Sequence, residues 1–164
     1  LLSPELIKIT LELCKSYKVP VAVDPKQKNF FAYQAVEIFK PNYVEMQSNL
    51  GVRFETDAEF LEAAKKLRKK MRLKYLVVTR GSKGMFIVPS KGDIRHLPSY
   101  AREAYDVSGA GDTVISVLSL AYAAKADIDV SATLANHAAG VVCGKLGTAV
   151  ASPKEIMESI DAAR

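Results

Sequence analysis

Apolar residues return every three or four positions in several stretches of the chain, and this spacing predicts amphipathic helices. The first helix is predicted over residues 2–17, with Ser3 as its N-cap and Pro4 in its first turn. Its apolar positions are Leu2, Leu6, Ile9, Leu13 and Tyr17. A second helix is predicted from about Tyr43, after Pro41 and Asn42.

Three further patterns predict helices towards the end of the chain. One runs over residues 111–125, and the next over 130–145 with Gly147 ending it. The last begins after Ser152, with Glu155 placed to complete a capping box.

Short continuous apolar runs alternate with these helices and predict buried strands. They cover residues 19–24, 36–40 and 75–79, and a glycine-containing turn then leads to runs at 85–88 and 94–97. Strands that alternate with helices indicate an α/β fold built on a mostly parallel sheet.

Composition places the chain among ordinary globular domains. It has 164 residues, of which 49% are hydrophobic and 25% are charged. The sequence shows no apolar run long enough to cross a bilayer and no signal-peptide pattern, so we expect a soluble, cytoplasmic protein without a membrane partner. Cys14 and Cys143 lie far apart, which favours reduced thiols over a disulfide or a zinc site.

The net charge of +5 is concentrated in one stretch between Lys65 and Lys74. This stretch continues a helical pattern that Thr56 and Glu59 open as a predicted capping box. The intervening apolar residues return at helical spacing, so the cations are predicted to form a solvated outer face. Without interleaved aromatic residues or a known binding motif, a nucleic-acid partner is not expected.

The segment from Asp106 to Thr113, DVSGAGDT, carries the strongest chemical signal. Its small residues allow close backbone approach, and the helix start that follows presents N–H groups towards negative charge. The amides of Gly109, Ala110 and Gly111 would hold a transferring phosphoryl group while Asp112 accepts the proton of a hydroxyl nucleophile. The alternative is a simple loop in which the aspartate caps the helix.

This segment closely resembles the DTxGAGD signature of the ribokinase-like (PfkB) carbohydrate kinases. The resemblance implies a ribokinase-like three-layer αβα sandwich and phosphoryl transfer from Mg-ATP. It also implies that Asp112 is the catalytic base, that Gly109–Gly111 form the anion hole, and that Asp106 supports the loop and a monovalent-cation site for an ion such as K⁺. Val107 stands where threonine is common in the family.

Other segments follow the family's order along the chain. Asn42 and Glu45 resemble its N-x-x-E motif, which influences magnesium and phosphate, although asparagine after proline also commonly starts a helix. Thr79, Gly81 and Gly84 resemble its T-x-G-x-x-G turn along the nucleotide, for which an ordinary hairpin turn is the alternative.

Asp24 and Lys26 resemble a D-P-K segment whose basic side chain lies near the phosphates, or Lys26 is simply solvated. Asn136 occupies the place of a residue beside the adenine. His137, among apolar neighbours, is predicted to be a buried, satisfied histidine rather than a catalytic one.

Four segments, DPK, KPN, YDVSGAGDTVI and AAGVVCGKLGTAVASPKE, together resemble the kinase portion of bacterial ADP-heptose synthesis proteins. That resemblance implies D-glycero-β-D-manno-heptose 7-phosphate as the acceptor and the 1,7-bisphosphate as the product. A different acceptor, such as ribose, fructose or a nucleoside, and a non-catalytic nucleotide-binding fragment remain alternatives.

The same resemblance implies that residues 1–164 form the carboxyl-terminal, nucleotide-binding part of a kinase domain. The sugar-binding part and the lid would then precede this stretch. A homodimer formed through the lid and a fused adenylyltransferase domain would likewise involve residues outside it.

Overall fold

The computed structural model of the chain describes residues 2–101 and 106–163, which form two compact units. The first unit comprises Leu1–Thr79 and Phe86–Arg95, and the second comprises Arg80–Met85 and His96–Arg164.

Five strands make one sheet in the order β1-β2-β3-β4-β5. Their bounds are Ala22–Val23, Ile38–Phe39, Tyr75–Thr79, Met85–Pro89 and Arg95–Leu97. The pairs β1–β2 and β2–β3 are parallel, as predicted. The first strand is shorter than the run at 19–24 because Pro20 has no N–H and the Val21 amide donates to the Glu37 carboxylate at 2.8 Å instead of to a strand.

The first unit also contains helices α1 (Pro4–Ser16), α2 (Tyr43–Leu50) and α3 (Asp57–Lys70), with a 3₁₀ helix at Gln27–Ala32. Helix α3 buries Phe60, Ala64 and Leu67, while its lysines point to solvent as the charge pattern predicted. Its predicted capping box is half formed. Thr56 Oγ1 accepts from the Glu59 amide at 3.2 Å, but the Glu59 carboxylate accepts from the amide of Glu55 and not from that of Thr56.

Helix α1 confirms the predicted helix and its Ser3 cap, but the apolar stripe is not the buried face. Ile7 is its buried residue, with 3% of its surface exposed, while Leu6, Ile9 and Leu13 are 45%, 54% and 53% exposed. The spacing therefore identified the helix without identifying its packed side.

The second unit contains helices α4 (Ala110–Ala123), α5 (Ile128–Cys143) and α6 (Pro153–Asp161), and α4 packs along α5. Helix α5 ends at Cys143 with Gly144 as its C-cap, so the prediction that it continues to Lys145 and ends at Gly147 was wrong. The backbone of Gly147 does adopt the left-handed conformation, but in the loop beyond the helix. The capping box of α6, formed by Ser152 and Glu155, is confirmed.

Both cysteines are free thiols, Cys143 buried and Cys14 partly so. Within residues 2–101 and 106–163, no helix has the length and apolar character needed to span a membrane.

Candidate active site

The carboxyl ends of β1 and β2 carry a cluster of three charged side chains in the first unit. Asp24 follows β1 and Lys40 follows β2. Lys40 Nζ lies 3.1 Å from Asp24 Oδ1, and Lys26 Nζ lies 3.5 Å from Asp24 Oδ2. Polar groups at this end of parallel strands are well placed to bind a ligand.

Asn42 and Glu45 form a complete capping box at the start of α2. Asn42 Oδ1 accepts from the Glu45 amide, and Glu45 Oε2 accepts from the Asn42 amide, each at 2.7 Å. Asn42 also forms an isolated parallel bridge with Thr79 at the end of β3. Asn42 therefore starts the helix, which was the structural alternative for this motif. The capping box uses Oε2 of Glu45 and does not involve Oε1.

No group of three or more metal-binding side chains occurs in the part of the chain that the structure describes. Mg²⁺ commonly retains water and binds nucleotide phosphates together with one or two carboxylates. Glu45 is the carboxylate of the N-x-x-E motif that could take part.

The glycine turn after β3 depends on Gly84. The amide of Arg80 donates to the carbonyl of Gly84 at 2.8 Å, and Gly84 has a φ of +78°. A Cβ at this position would lie 2.0 Å from the carbonyl oxygen of Leu97. Gly81, also left-handed at φ +55°, has open space at the same position. The turn thus brings two backbone segments of the second unit together without side chains between them.

Asp106 fixes the entrance to the glycine-rich loop. Its Oδ1 accepts from the Ser108 amide at 2.8 Å, and its Oδ2 accepts from the Gly147 amide at 3.2 Å. The hydrogen bonds from Ser108, with a smaller contribution from Gly147, hold the pKa of Asp106 below its usual value. The loop is supported in this way with valine at position 107.

Gly109 is the N-cap of α4, with a φ of +79°, and among the described residues no side-chain cap hydrogen bond is made at this helix start. The Ala110 amide donates to Val107 O at 3.2 Å, so the first-turn amides of Gly111 and Asp112 are better placed for an anion. Asp112 is exposed, and among residues 2–101 and 106–163 its carboxylate has no hydrogen-bond or ion-pair partner. Asp112 is the acidic residue in the first turn of α4.

Asn136 and His137 are buried in α5 and hold the segment after β5. Asn136 Nδ2 donates to Pro98 O at 2.6 Å. The imidazole of His137 stacks on the Tyr100 ring with 3.8 Å between centroids, and its Nδ1 lies 2.8 Å from Ser159 Oγ. His137 is buried and its Nδ1 has a hydrogen-bond partner, as predicted, and burial lowers the pKa of this side chain.

Sequence reasoning missed Lys40 and the ion pair between Lys145 and Glu155. The Lys145 ammonium lies 2.6 Å from Glu155 Oε1 and donates to Val150 O at 2.7 Å, closing the loop between α5 and α6. The sequence gives only the position of Lys40, because Asp24 and Lys40 each end a predicted strand and precede a proline. For Lys145 the sequence offers no comparable signal.

Solved structures define the class of fold. The chain is similar to phosphofructokinase-2 from Escherichia coli in complex with potassium, with a TM-score of 0.88 and 18% identity over 99% of this chain and 54% of that one. It is also similar to Arabidopsis thaliana ribokinase complexed with ribose and ATP, with a TM-score of 0.82 and 21% identity over 96% of this chain and 51% of that one. The fold is therefore ribokinase-like and α/β, as predicted.

Sequence comparison defines the family. Residues 2–155 match the pfkB family of carbohydrate kinases, and the chain belongs to that family. Over 159 residues it is 38% identical to the bifunctional protein HldE of Geobacter sulfurreducens, covering 97% of this chain and 32% of that protein. The chain thus spans about a third of the length of such relatives.

Proposed function

We propose that this chain is the nucleotide-binding, catalytic part of an ATP-dependent kinase that phosphorylates a sugar phosphate. The observation that carries the proposal is Asp112, an exposed carboxylate without a partner among the described residues. It lies in the first turn of α4, whose N-cap is the left-handed Gly109. A base beside free helical amides suits phosphoryl transfer, which needs an oriented nucleophile and stabilised phosphoryl charge.

In this proposal Asp112 accepts the proton of the sugar hydroxyl as that oxygen attacks the γ-phosphorus of ATP. The bond from the γ-phosphorus to the β–γ bridging oxygen breaks, and ADP leaves. The amides of the Gly109–Gly111 turn, with that of Asp112, stabilise the charge on the transferred group. Asp106 keeps this loop in place through its two hydrogen bonds.

Nucleotide binding is assigned to four elements of the chain, and each is argued from its own local geometry. Lys26, beside Asp24, supplies positive charge for the phosphates. The Thr79, Gly81 and Gly84 turn lies along the nucleotide, and Asn136 fixes the segment after β5 beside the adenine. Mg²⁺, when bound, neutralises phosphate charge, with Asn42 and Glu45 acting on it mostly through water. The support of Asp106 for a monovalent cation such as K⁺ is part of the same proposal.

The acceptor proposed is D-glycero-β-D-manno-heptose 7-phosphate, and the product is the 1,7-bisphosphate. Support comes from the four sequence segments that resemble ADP-heptose synthesis proteins and from the 38% sequence identity to the HldE protein of Geobacter sulfurreducens. The word "bifunctional" in the name of that relative supports a second, fused activity outside this kinase part. A panel of heptose 7-phosphate, ribose, fructose 6-phosphate and nucleosides separates the proposed acceptor from the alternatives.

Replacing Asp112 by asparagine tests the assignment of the base. In the complete gene product we expect Asp112→Asn to lower kcat by at least about a hundredfold, the usual contribution of a general base, with ATP affinity changed less than about twofold. ADP release and calorimetric titration measure the two quantities. Asp93→Asn, at an exposed aspartate of the first unit, is the matched control. Turnover retained by Asp112→Asn would show that another group is the base.

A further inference from the structure

Two adjacent strands of the first unit end in matching dipeptides, Asp24-Pro25 after β1 and Lys40-Pro41 after β2. The parallel register pairs Val23 with Phe39, and the Lys40 amide donates to Val23 O at 2.8 Å. Asp24 and Lys40 therefore occupy the same step beyond the sheet. Proline restricts the residue before it to extended conformations, so both positions are fixed by sequence as well as by pairing.

The three charges at this edge differ greatly in exposure. The Lys40 side chain is 3% exposed and that of Asp24 is 17% exposed. The Lys26 side chain is 76% exposed. A lysine is rarely buried unless its charge is paired, and Asp24 is the partner that the structure gives Lys40. One carboxylate thus contacts a buried ammonium and a solvated one.

We propose that Lys40 is a positioning residue for nucleotide binding: its buried ion pair neutralises Asp24 and thereby leaves Lys26 available to the phosphates of ATP. The inference rests on the proposed function, which assigns Lys26 to those phosphates. It adds a role for Lys40, which the sequence analysis placed in the KPN segment without a function and which the proposed mechanism does not use.

The physical reason is the balance of charge in the cluster. Two lysines and one aspartate leave one positive charge in excess, which attracts an anion. Without Lys40, Asp24 and Lys26 would cancel, and a carboxylate at the edge of a buried region would hold the remaining ammonium more strongly than one in open solvent. Lys26 would then have to break this pair before it could contact a phosphate.

Charge variants separate this role from direct phosphate contact by Lys40. We expect Lys40→Met and Lys26→Met each to weaken ATP binding roughly tenfold, the scale of one lost contact to a charged group. The double variant Asp24→Asn/Lys40→Met has the same excess charge as the parent and should bind ATP within about twofold of it. In the Lys40→Met background, adding Lys26→Met should have little further effect.

The measurement is calorimetric titration of ATP into the complete gene product at low ionic strength, with EDTA present so that no divalent metal contributes to binding. Unfolding is followed in parallel, because Lys40→Met leaves a partly buried carboxylate without its buried partner and can destabilise the fold. If that variant does not fold, the double variant still decides the question. Double-variant binding about tenfold weaker than the parent would overturn the proposal, as would parent-like affinity of folded Lys40→Met.

The same titration distinguishes this inference from the proposed function. If the variants change ATP affinity as expected but no sugar phosphate is phosphorylated, the kinase activity is rejected and the role of Lys40 is supported. A parent protein that binds no ATP would overturn both.

Discussion

Gly84 is the residue at which backbone geometry and packing impose the same requirement. Its φ of +78° disfavours any side chain, and an added Cβ would meet the Leu97 carbonyl oxygen and the backbone of Pro98 and Ser99. Backbone atoms in this position cannot rotate away as the end of a side chain can. The tolerance of the turn to substitution is therefore set by contact as well as by conformation.

Alanine at Gly84 and at Gly81 separates these two effects. Gly81 is left-handed at φ +55° but has open space around it. We expect Gly81→Ala to lower the free energy of unfolding by about 1 kcal/mol, the conformational cost alone. Gly84→Ala should cost about 3 kcal/mol because overpacking is added. Urea denaturation of both variants measures the difference, and equal losses would contradict the role given to the close approach.

Single residues also show how far the sequence could predict the site. The glycine-rich loop was predictable because its signal is local, a run of small residues before a helical pattern. The burial of Lys40 was not, since lysine is usually exposed and its partner Asp24 becomes adjacent only when β1 pairs with β2. The hydrogen bond from the Asn136 side chain to Pro98 O was not predictable either, because the two residues lie far apart in the sequence. Roles that depend on long-range pairing require the structure.

Helix α1 shows what an amphipathic pattern determines at the scale of an element. Its cap, its first-turn proline and its length were predictable because they depend on neighbouring residues. The packed side was not, because apolar spacing identifies a stripe without identifying a partner. Ile7, outside the predicted stripe, is the residue that α1 buries.

Two isoleucines of α1 provide a matched test. In the 164-residue chain, Ile7→Ala should lower the free energy of unfolding by about 2 to 4 kcal/mol, because the variant leaves a cavity where Ile7 was 3% exposed. Ile9→Ala, at a position 54% exposed, should change it by less than about 0.5 kcal/mol. Chemical denaturation compares them directly, and a larger loss at Ile9 would show that the stripe is covered in solution.

At the scale of the whole molecule, the excess of positive charge is distributed unevenly. The cations of α3 are solvated and unlike the buried Lys40, although all count equally in the net charge of +5. Lysine content alone therefore says little about ligand binding here, and the burial and pairing of each cation decide its role. Acid adds to this excess by protonating carboxylates, so the most strongly held carboxylates govern stability at low pH.

Glu155 is such a carboxylate. Hydrogen bonds from Lys145 first, and then from the Ser152 backbone and hydroxyl, lower its pKa from 4.5 to about 2. A pKa lowered by folding stabilises the protein above the unfolded value, and this contribution is lost as pH falls from about 4.5 towards 2.

Glu155→Gln should therefore show a flatter loss of stability across this pH range than the parent. Lys145→Met should flatten it as well, because it removes the first cause of the shift. Urea unfolding at a series of pH values measures the slopes. A slope that neither variant changes would show that Lys145 does not hold the Glu155 carboxylate in solution.

The shallow burial of α1 also affects how readily its backbone amides become exposed to solvent. Ile7 and the hydrogen bond from Asn29 Nδ2 to Leu2 O anchor the helix, whereas α5 buries nine residues of its length. Local opening requires only the interactions of the segment that opens, so the amides of α1 exchange their hydrogens without waiting for the rest of the first unit to unfold. In the 164-residue chain, the same opening would expose the backbone of α1 to a protease.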